Sequence, residues 1–286
     1  MNTKYIIATV LVVIIVVASV LGYLAYTGTF SSSKPTLRVF MASSLVDVVN
    51  NMTQAFEKAN NCNIVVNEAS SSTLYTQITS GSPCDVFMAA NNKWTNDLNS
   101  SQLVYDNWYN SDFTTNTLCI IIAQGNPKNI TSLASLVQPG IRLIIADPSV
   151  PVGEYANDTL INIDATWGNS TSPLYVTSGA YLNYGDNFAK NVVSYEDTDE
   201  NIVGDVSLNV GTADAGLVYV SDWAYANMTG ATVSFLPIPA AVNTVGTYGI
   251  CIPSEATHTT LAEKFMDYWL SPQGQALLTE FGFGST

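Results

Sequence analysis

Serine-rich or Pro-Gly-rich loops follow apolar runs at three places in this chain: "MASSL" with Ser43 and Ser44, "EASSST" with Ser70, Ser71 and Ser72, and "DPSVPVGEY" from Asp147 to Tyr155. A hydroxyl can both donate and accept. At a helix start it caps a free backbone N–H, or it joins those N–H groups in holding an anion. None of the three loops contains Lys or Arg. A pocket made from them has the partial positive charge of helix N-termini and no formal cation. That chemistry suits a dehydrated oxyanion held by fixed dipoles. The plain alternative is that the serines only cap helices.

The surrounding pattern places these loops. "LRVFMA" reads as a strand, and Leu45, Val48, Val49, Met52 and Phe56 then recur at helical spacing. "CNIVVNEA", "SSTLYTQITS", "CDVFMAA" and "NKWTNDLNSS" continue as strand, helix, strand, helix. This alternation is the signature of a parallel sheet covered on both faces. A second α/β stretch follows Cys119, with strands in "NTLCIII", "IRLIIA", "AGLVYV" and "YGICIP" and a final helix interrupted at Ser271-Pro272. In open α/β sheets, ligands sit at the carboxyl ends of strands, where these loops fall.

The chain has 286 residues, enough for two domains. Its net charge of -14 argues against nucleic acid, which needs clustered Lys and Arg. Residues 1–30 stand apart. The apolar run from Tyr5 to Tyr26, about 20 residues, is long enough to cross a bilayer and longer than most signal-peptide cores. It reads as a transmembrane anchor, with a cleaved signal as the alternative. Residues 31–35 follow as a linker. Six Asn-x-Ser/Thr acceptors, at Asn51, Asn99, Asn129, Asn157, Asn169 and Asn227, suit a glycosylated exterior surface. Cys62, Cys84, Cys119 and Cys251 admit three disulfide pairings, or four buried thiols. Their spacing does not suit zinc.

The order of "VFMASSL", "EASSSTLYTQITSGSPCDVFMAANNKW", "ADPSVPVGEYA", "AGLVYVSDW" and "SPQGQALLTEFGF" resembles the extracytoplasmic molybdate-binding proteins of ABC transporters. The resemblance runs across nearly all of residues 36–284. It implies the α/β, two-lobed solute-binding fold of type II periplasmic binding proteins, here following an N-terminal transmembrane helix. Lobe 1 would hold residues 36–118 with 252–286, and lobe 2 residues 119–251 including two crossing strands. The family grips tetrahedral molybdate or tungstate with serine hydroxyls, backbone N–H groups and one tyrosine hydroxyl. Carried onto this sequence, these are Ser44, Ser71, Val152, Ile202 and Tyr219. Asn201 is the alternative to Ile202, because the segment before Tyr219 is one residue shorter than the family spacing. A tungstate-selective archaeal branch adds carboxylates near Val152 and Ile202. Neither is acidic here, although Glu154 and Glu200 are close by, so simple tetrahedral coordination is expected.

The resemblance further implies an ABC-transporter permease as partner, no cofactor beyond the molybdate or tungstate ligand, no protein-ligated metal and no catalysis. His258, the single histidine, lacks a nucleophile elbow. Sulfate or phosphate is the alternative ligand, with Asp147 and Glu154 as the acceptors to watch. A membrane-tethered surface protein that has lost its ligand is the alternative of another class. Strand placement favours the disulfides Cys62–Cys84, at the amino ends of the first-lobe strands, and Cys119–Cys251, on the two crossing strands.

Overall fold

The computed structural model describes residues 14–19, 23, 34–207 and 212–285. The chain divides into Met1–Pro35 and Thr36–Thr286. In the first unit, residues 14–19 are helical and their apolar side chains are exposed. Among the described residues no helix is long and apolar enough to cross a membrane. The predicted span over 5–26 lies largely outside them.

The second unit begins with β1 (Thr36–Ala42), a 3-10 turn (Ser43–Leu45), α1 (Val46–Asn60), β2 (Asn63–Ala69), α2 (Ser71–Thr79), β3 (Val86–Ala89) and α3 (Lys93–Ser100). The long β4 (Val104–Ile122) leads to α4 (Leu133–Leu136), β5 (Leu143–Ala146), α5 (Pro151–Ile163), α6 (Tyr184–Ala189), β6 (Val192–Glu196) and α7 (Asp199–Ser207). β7 (Ala215–Tyr219), α8 (Val220–Met228), β8 (Ser234–Pro237), β9 (Val245–Pro253), α9 (Thr259–Leu270) and α10 (Pro272–Glu280) complete it.

The strand order is β2-β1-β3-β9-β4-β7-β5-β6, with β8 also on β4. β1 lies between β2 and β3, all parallel, and β9 runs antiparallel to β3. The first part of β4 pairs with β9 as far as Thr117↔Val245. Its last residues, Leu118–Ile122, pair with β7 and β8 instead. β4 therefore carries the chain out of one lobe and β9 carries it back. Two cores flank the first sheet, one around Val39, Met41, Ile250 and Trp269, the other around Phe40, Phe87 and Leu98. A separate core built on Ile120, Ile144, Leu217 and Ile202 fills the second lobe. This is the two-lobed α/β architecture expected.

Each lobe repeats one brace. Asp85, before β3, exchanges backbone bonds with Arg38 of β1: the Asp85 N–H donates to the Arg38 carbonyl, and the Arg38 N–H donates to Asp85 Oδ2, both at 2.8 Å. Asp214, before β7, does the same with Arg142, before β5, again at 2.8 Å. The Arg142 guanidinium also donates to both Asp214 oxygens, at 3.2 and 2.8 Å. The two carboxylates thus tie neighbouring strand starts together, at the end of each sheet remote from the strand carboxyl ends.

The predicted disulfides are not formed, since Cys84, Cys119 and Cys251 are buried free thiols. Cys62 precedes β2 and Cys84 precedes β3, and β1 lies between those strands. Two strand spacings make about 9.6 Å, beyond the roughly 7 Å Cα limit for a disulfide. Cys251 faces Tyr109 across the β4–β9 ladder, while Cys119 faces Val218 and Pro237. Ten residues of β4 separate Tyr109 from Cys119, on the order of 30 Å along a strand. Burial first, then Cys251 nearby, raises the Cys84 thiol well above its usual range. Burial likewise raises Cys119 and Cys251. Protonated thiols of this kind are unreactive.

Asp85 is 1% exposed and also accepts from the N–H groups of Thr257 and His258 at 2.8 and 3.0 Å. Burial alone would raise its pKa, but these donors outweigh it and hold the carboxyl below its usual value. Asp85→Ala leaves several buried donors unpaired and is expected to cost about 2–4 kcal/mol in urea unfolding at pH 7. A depressed carboxyl stabilises above its unfolded pKa of roughly 3.9, and that contribution is lost as pH falls through the folded value. The gap between wild type and variant should therefore close in acid.

Candidate functional site

Five strand-to-helix or strand-to-turn junctions meet between the lobes. After β1 the chain turns through Ser43 and Ser44. The Ser43 hydroxyl donates to Asp199 Oδ1 at 2.8 Å, and Ser44 Oγ lies 2.9 Å from the Tyr248 hydroxyl. After β2, Ser70 is the N-cap of α2 and accepts from the Thr73 N–H at 3.3 Å. Capping therefore accounts for Ser70 and leaves Ser71 for another role. Ser71 is fully buried, and its Oγ accepts the Ala90 N–H at 2.9 Å. Its own proton remains to be donated.

In the second lobe, β5 ends in a loop that enters α5 with Pro151 in its first turn. Proline at that position loses no helical bond, and the next N–H groups, Val152's among them, have no partner within the helix. Gly153 is required here: a Cβ would run into the Asp147 and Ala146 backbone carbonyls. α7 starts at Asp199, after the loop that follows β6. Tyr219 ends β7 and is 1% exposed. Its ring packs edge-on against Tyr155 and Tyr248.

These junctions enclose a cavity of about 20 Å³, lined by Ser43, Ser44, Ser70, Ser71, Ala90, Val150, Pro151, Val152, Asp197, Thr198, Asp199, Tyr219 and Ala42. That is room for one small group, since a single water needs roughly 10–15 Å³ on the same measure. No Lys, Arg or His lines it. Two residues of its wall each carry a buried oxygen that receives no bond from an amide or hydroxyl donor, Tyr219 Oη and Asp199 Oδ2. A longer chain of bonds stands behind Ser44. Asn116 Nδ2 approaches the Tyr248 hydroxyl at 3.5 Å and donates to Ser221 Oγ at 2.8 Å. Where the Tyr248 hydroxyl donates to Ser44 Oγ, the Ser44 hydroxyl is left to donate into the cavity. A larger groove of about 690 Å³ runs between α1 and α9–α10, but none of the unpartnered buried atoms faces it.

Of the residues singled out from sequence, Ser44, Ser71, Val152 and Tyr219 line one cavity. Ile202 does not. It is buried in the second-lobe core, and a Cβ on Gly216 would meet its side chain. The free N–H groups of α7 belong to its first turn, so Asp199 reaches the cavity and Ile202, three residues on, does not. Asn201 donates its N–H to Thr198 Oγ1 at 3.3 Å and is not on the wall. Asp147 only closes its own turn, accepting the Ser149 N–H at 2.8 Å, and Glu154 accepts from Asn91 at 3.0 Å. Neither lines the cavity. Asp197 and Asp199 do line it, and of these Asp199 is the buried acceptor. Its signal in the sequence was "DTDEN", an acidic run that ordinarily marks a solvated first helical turn.

Residues 37–284 match the model of the bacterial extracellular solute-binding protein family. The chain belongs to this family, whose members are transport components and not enzymes. It is 32% identical to the molybdate-binding protein ModA of Mycobacterium tuberculosis over 247 residues, covering 86% of this chain and 83% of that one. It is 25% identical to ModA of Escherichia coli, covering 91% and 93%. The periplasmic molybdate-binding protein of Azotobacter vinelandii has the same fold, with a TM-score of 0.72 at 18% identity over 87% of this chain and 99% of that one.

Besides the Ser43–Asp199 bond, further hydrogen bonds cross between the lobes near the cavity. The Tyr155 hydroxyl donates to the Ala90 carbonyl at 3.2 Å, and Asn91 Nδ2 donates to Glu154 at 3.0 Å. Removing both with Tyr155→Phe and Asn91→Ala costs the closed form about 2–3 kcal/mol. Small-angle scattering of the unliganded double variant should give a larger radius of gyration than wild type.

Proposed function

We propose that this protein captures molybdate or tungstate outside the cell and delivers it to an ABC-transporter permease. Hydroxyl protons of Ser44, Ser71 and Tyr219, the Val152 N–H and the first-turn N–H groups of α7 would hold the anion. The observation that carries this reading is Tyr219 Oη, a buried hydroxyl with no partner on a small cavity without a cation. The names of the curated relatives support the ligand class. Closure by bending of β4 and β9 would bring donors from both lobes onto one ion.

Ser44→Ala, Ser71→Ala and Tyr219→Phe each remove one hydrogen bond to a charged ligand, worth about 1.5–3 kcal/mol. Calorimetric titration should show affinity for molybdate and tungstate falling roughly 10- to 150-fold in each. Unchanged affinity in all three would return these residues to capping and packing. A second reading, capture of hydrogen phosphate, draws on Asp199 Oδ2 as an acceptor for a ligand proton. The same titration with phosphate and sulfate tests it.

We further propose that residues 5–26 tether the protein to the membrane and that glycans occupy some of the six acceptors. Asn51, Asn99, Asn129, Asn157, Asn169 and Asn227 are all exposed. Thr36, where β1 begins, opens the unit that holds the cavity. Deleting residues 1–35 is expected to yield a protein that stays in solution and keeps its anion affinity. An insoluble or non-binding product would show that the first segment supports the fold.

A further inference from the structure

Asp199 is 2% exposed and forms part of the wall of the anion cavity. Oδ1 accepts the Ser43 hydroxyl at 2.8 Å, Oδ2 receives no bond from an amide or hydroxyl donor, and the Glu200 and Asp222 carboxyls lie close enough to share a proton with the group. The titratable groups around it come from every element packed nearby. Asp197 precedes it on the same cavity wall, Glu200 follows it on α7, Asp222 stands on α8, Tyr219 ends β7 and Tyr248 lies on β9. Glu68 at the end of β2 and Asp47 on α1 face it from the first lobe. Every one is an acid or a phenol, and none is a cation.

An oxyanion dianion cannot share so dry a cavity with a bare carboxylate, because like charges at close range and low dielectric repel strongly. A protonated carboxyl is different. It has one O–H to donate, and Oδ2 is the oxygen that no amide or hydroxyl donor reaches.

We propose that Asp199 binds the anion as the neutral acid, donating from Oδ2, so that each capture takes one proton from solvent and affinity rises as pH falls. This rests on the oxyanion reading above. Ser43 orients the group by donating to the opposite oxygen. The neighbouring acids are raised as well. Burial, then Asp199 and Glu68, raises Glu200 to about 8, and burial, then Asp199 and Glu200, raises Asp222 well above its usual range. Burial raises Asp199 itself, and hydrogen bonds with Ser43, Glu200 and Asp222 offset only part of that rise. In an open, water-filled cleft these shifts relax. Since the closed, bound form has the higher pKa, the proton is taken up between the open-form and bound-form values. Over that window affinity falls about tenfold per unit rise in pH for each proton coupled, and it levels off below the open-form value.

The test is calorimetry of the full-length protein with molybdate from pH 5 to 8, in buffers of differing ionisation enthalpy, for wild type and Asp199→Asn. Asparagine keeps an oxygen for Ser43 and places an N–H donor at the second position without titrating. Wild type is expected to take up at least one proton per molybdate. Asp199→Asn is expected to take up about one fewer, to show a correspondingly shallower pH dependence, and to bind more tightly than wild type at pH 8. Binding by wild type with no proton uptake would overturn the proposal without any variant. So would Asp199→Asn with the wild-type slope, or with weaker binding at every pH and a native circular-dichroism spectrum, since either means the neutral donor is not what matters. No heat with molybdate, tungstate, sulfate or phosphate from either protein would remove the oxyanion reading itself, and this inference with it.

Discussion

Everything around the cleft follows from holding charge in a small buried space without a cation. Helix N-termini and hydroxyls supply only partial charges, so several must converge on one point. A single βα junction cannot do this. The fold brings five together: the ends of β1, β2, β5, β6 and β7 all reach the same cavity wall. Parallel pairing of β1 with β2 and of β5 with β6 and β7 aims these ends the same way within each lobe. β4 and β9, antiparallel to each other, then join the lobes with those ends facing.

The same constraint explains where full charges are placed. Arg38–Asp85 and Arg142–Asp214 stand at the strand starts, each satisfied by its own partner and backbone. They fasten each sheet at the end remote from the cavity and add no net charge there. The uncompensated acids Asp47, Glu68, Asp199, Glu200 and Asp222 instead gather beside the cavity. Burial is the leading reason that each of their pKa values rises, and repulsion from neighbouring acids adds to it in Asp47, Glu68, Glu200 and Asp222. That repulsion bears on the closed form, so protons and the bound ligand both influence how readily the lobes meet.

Legibility from sequence tracked how local each determinant is. The βαβ alternation up to Ser101 was readable because apolar spacing and capping act within a few residues. "VYDNWYNSDFTT" was not readable as the first part of β4. It is polar and aromatic, carries Asp106 and Asn107 at positive φ, and slips register twice against β9. Only its partner strand makes it a strand. The disulfide expectation failed for a related reason: strand starts were legible, but which strand lies between them was not.

The sequence by itself determined the hydroxyl-rich, cation-free loops, their places at helix starts, and the family to which their order belongs. Those depend on residue type and short spacing alone. Tertiary structure decided which hydroxyls share a wall. It separated Ser70, spent on its own helix, from Ser71, buried and free to donate. It packed the Ile202 side chain into the second-lobe core and brought Asp199 to the cavity, because only the first residues of α7 reach the wall and Ile202 lies most of a turn further along the axis. It also set Tyr155, Tyr219 and Tyr248 ring to ring across the junction of the lobes. Contacts between residues so far apart in the chain exist only when both lobes are built, and no local pattern encodes them.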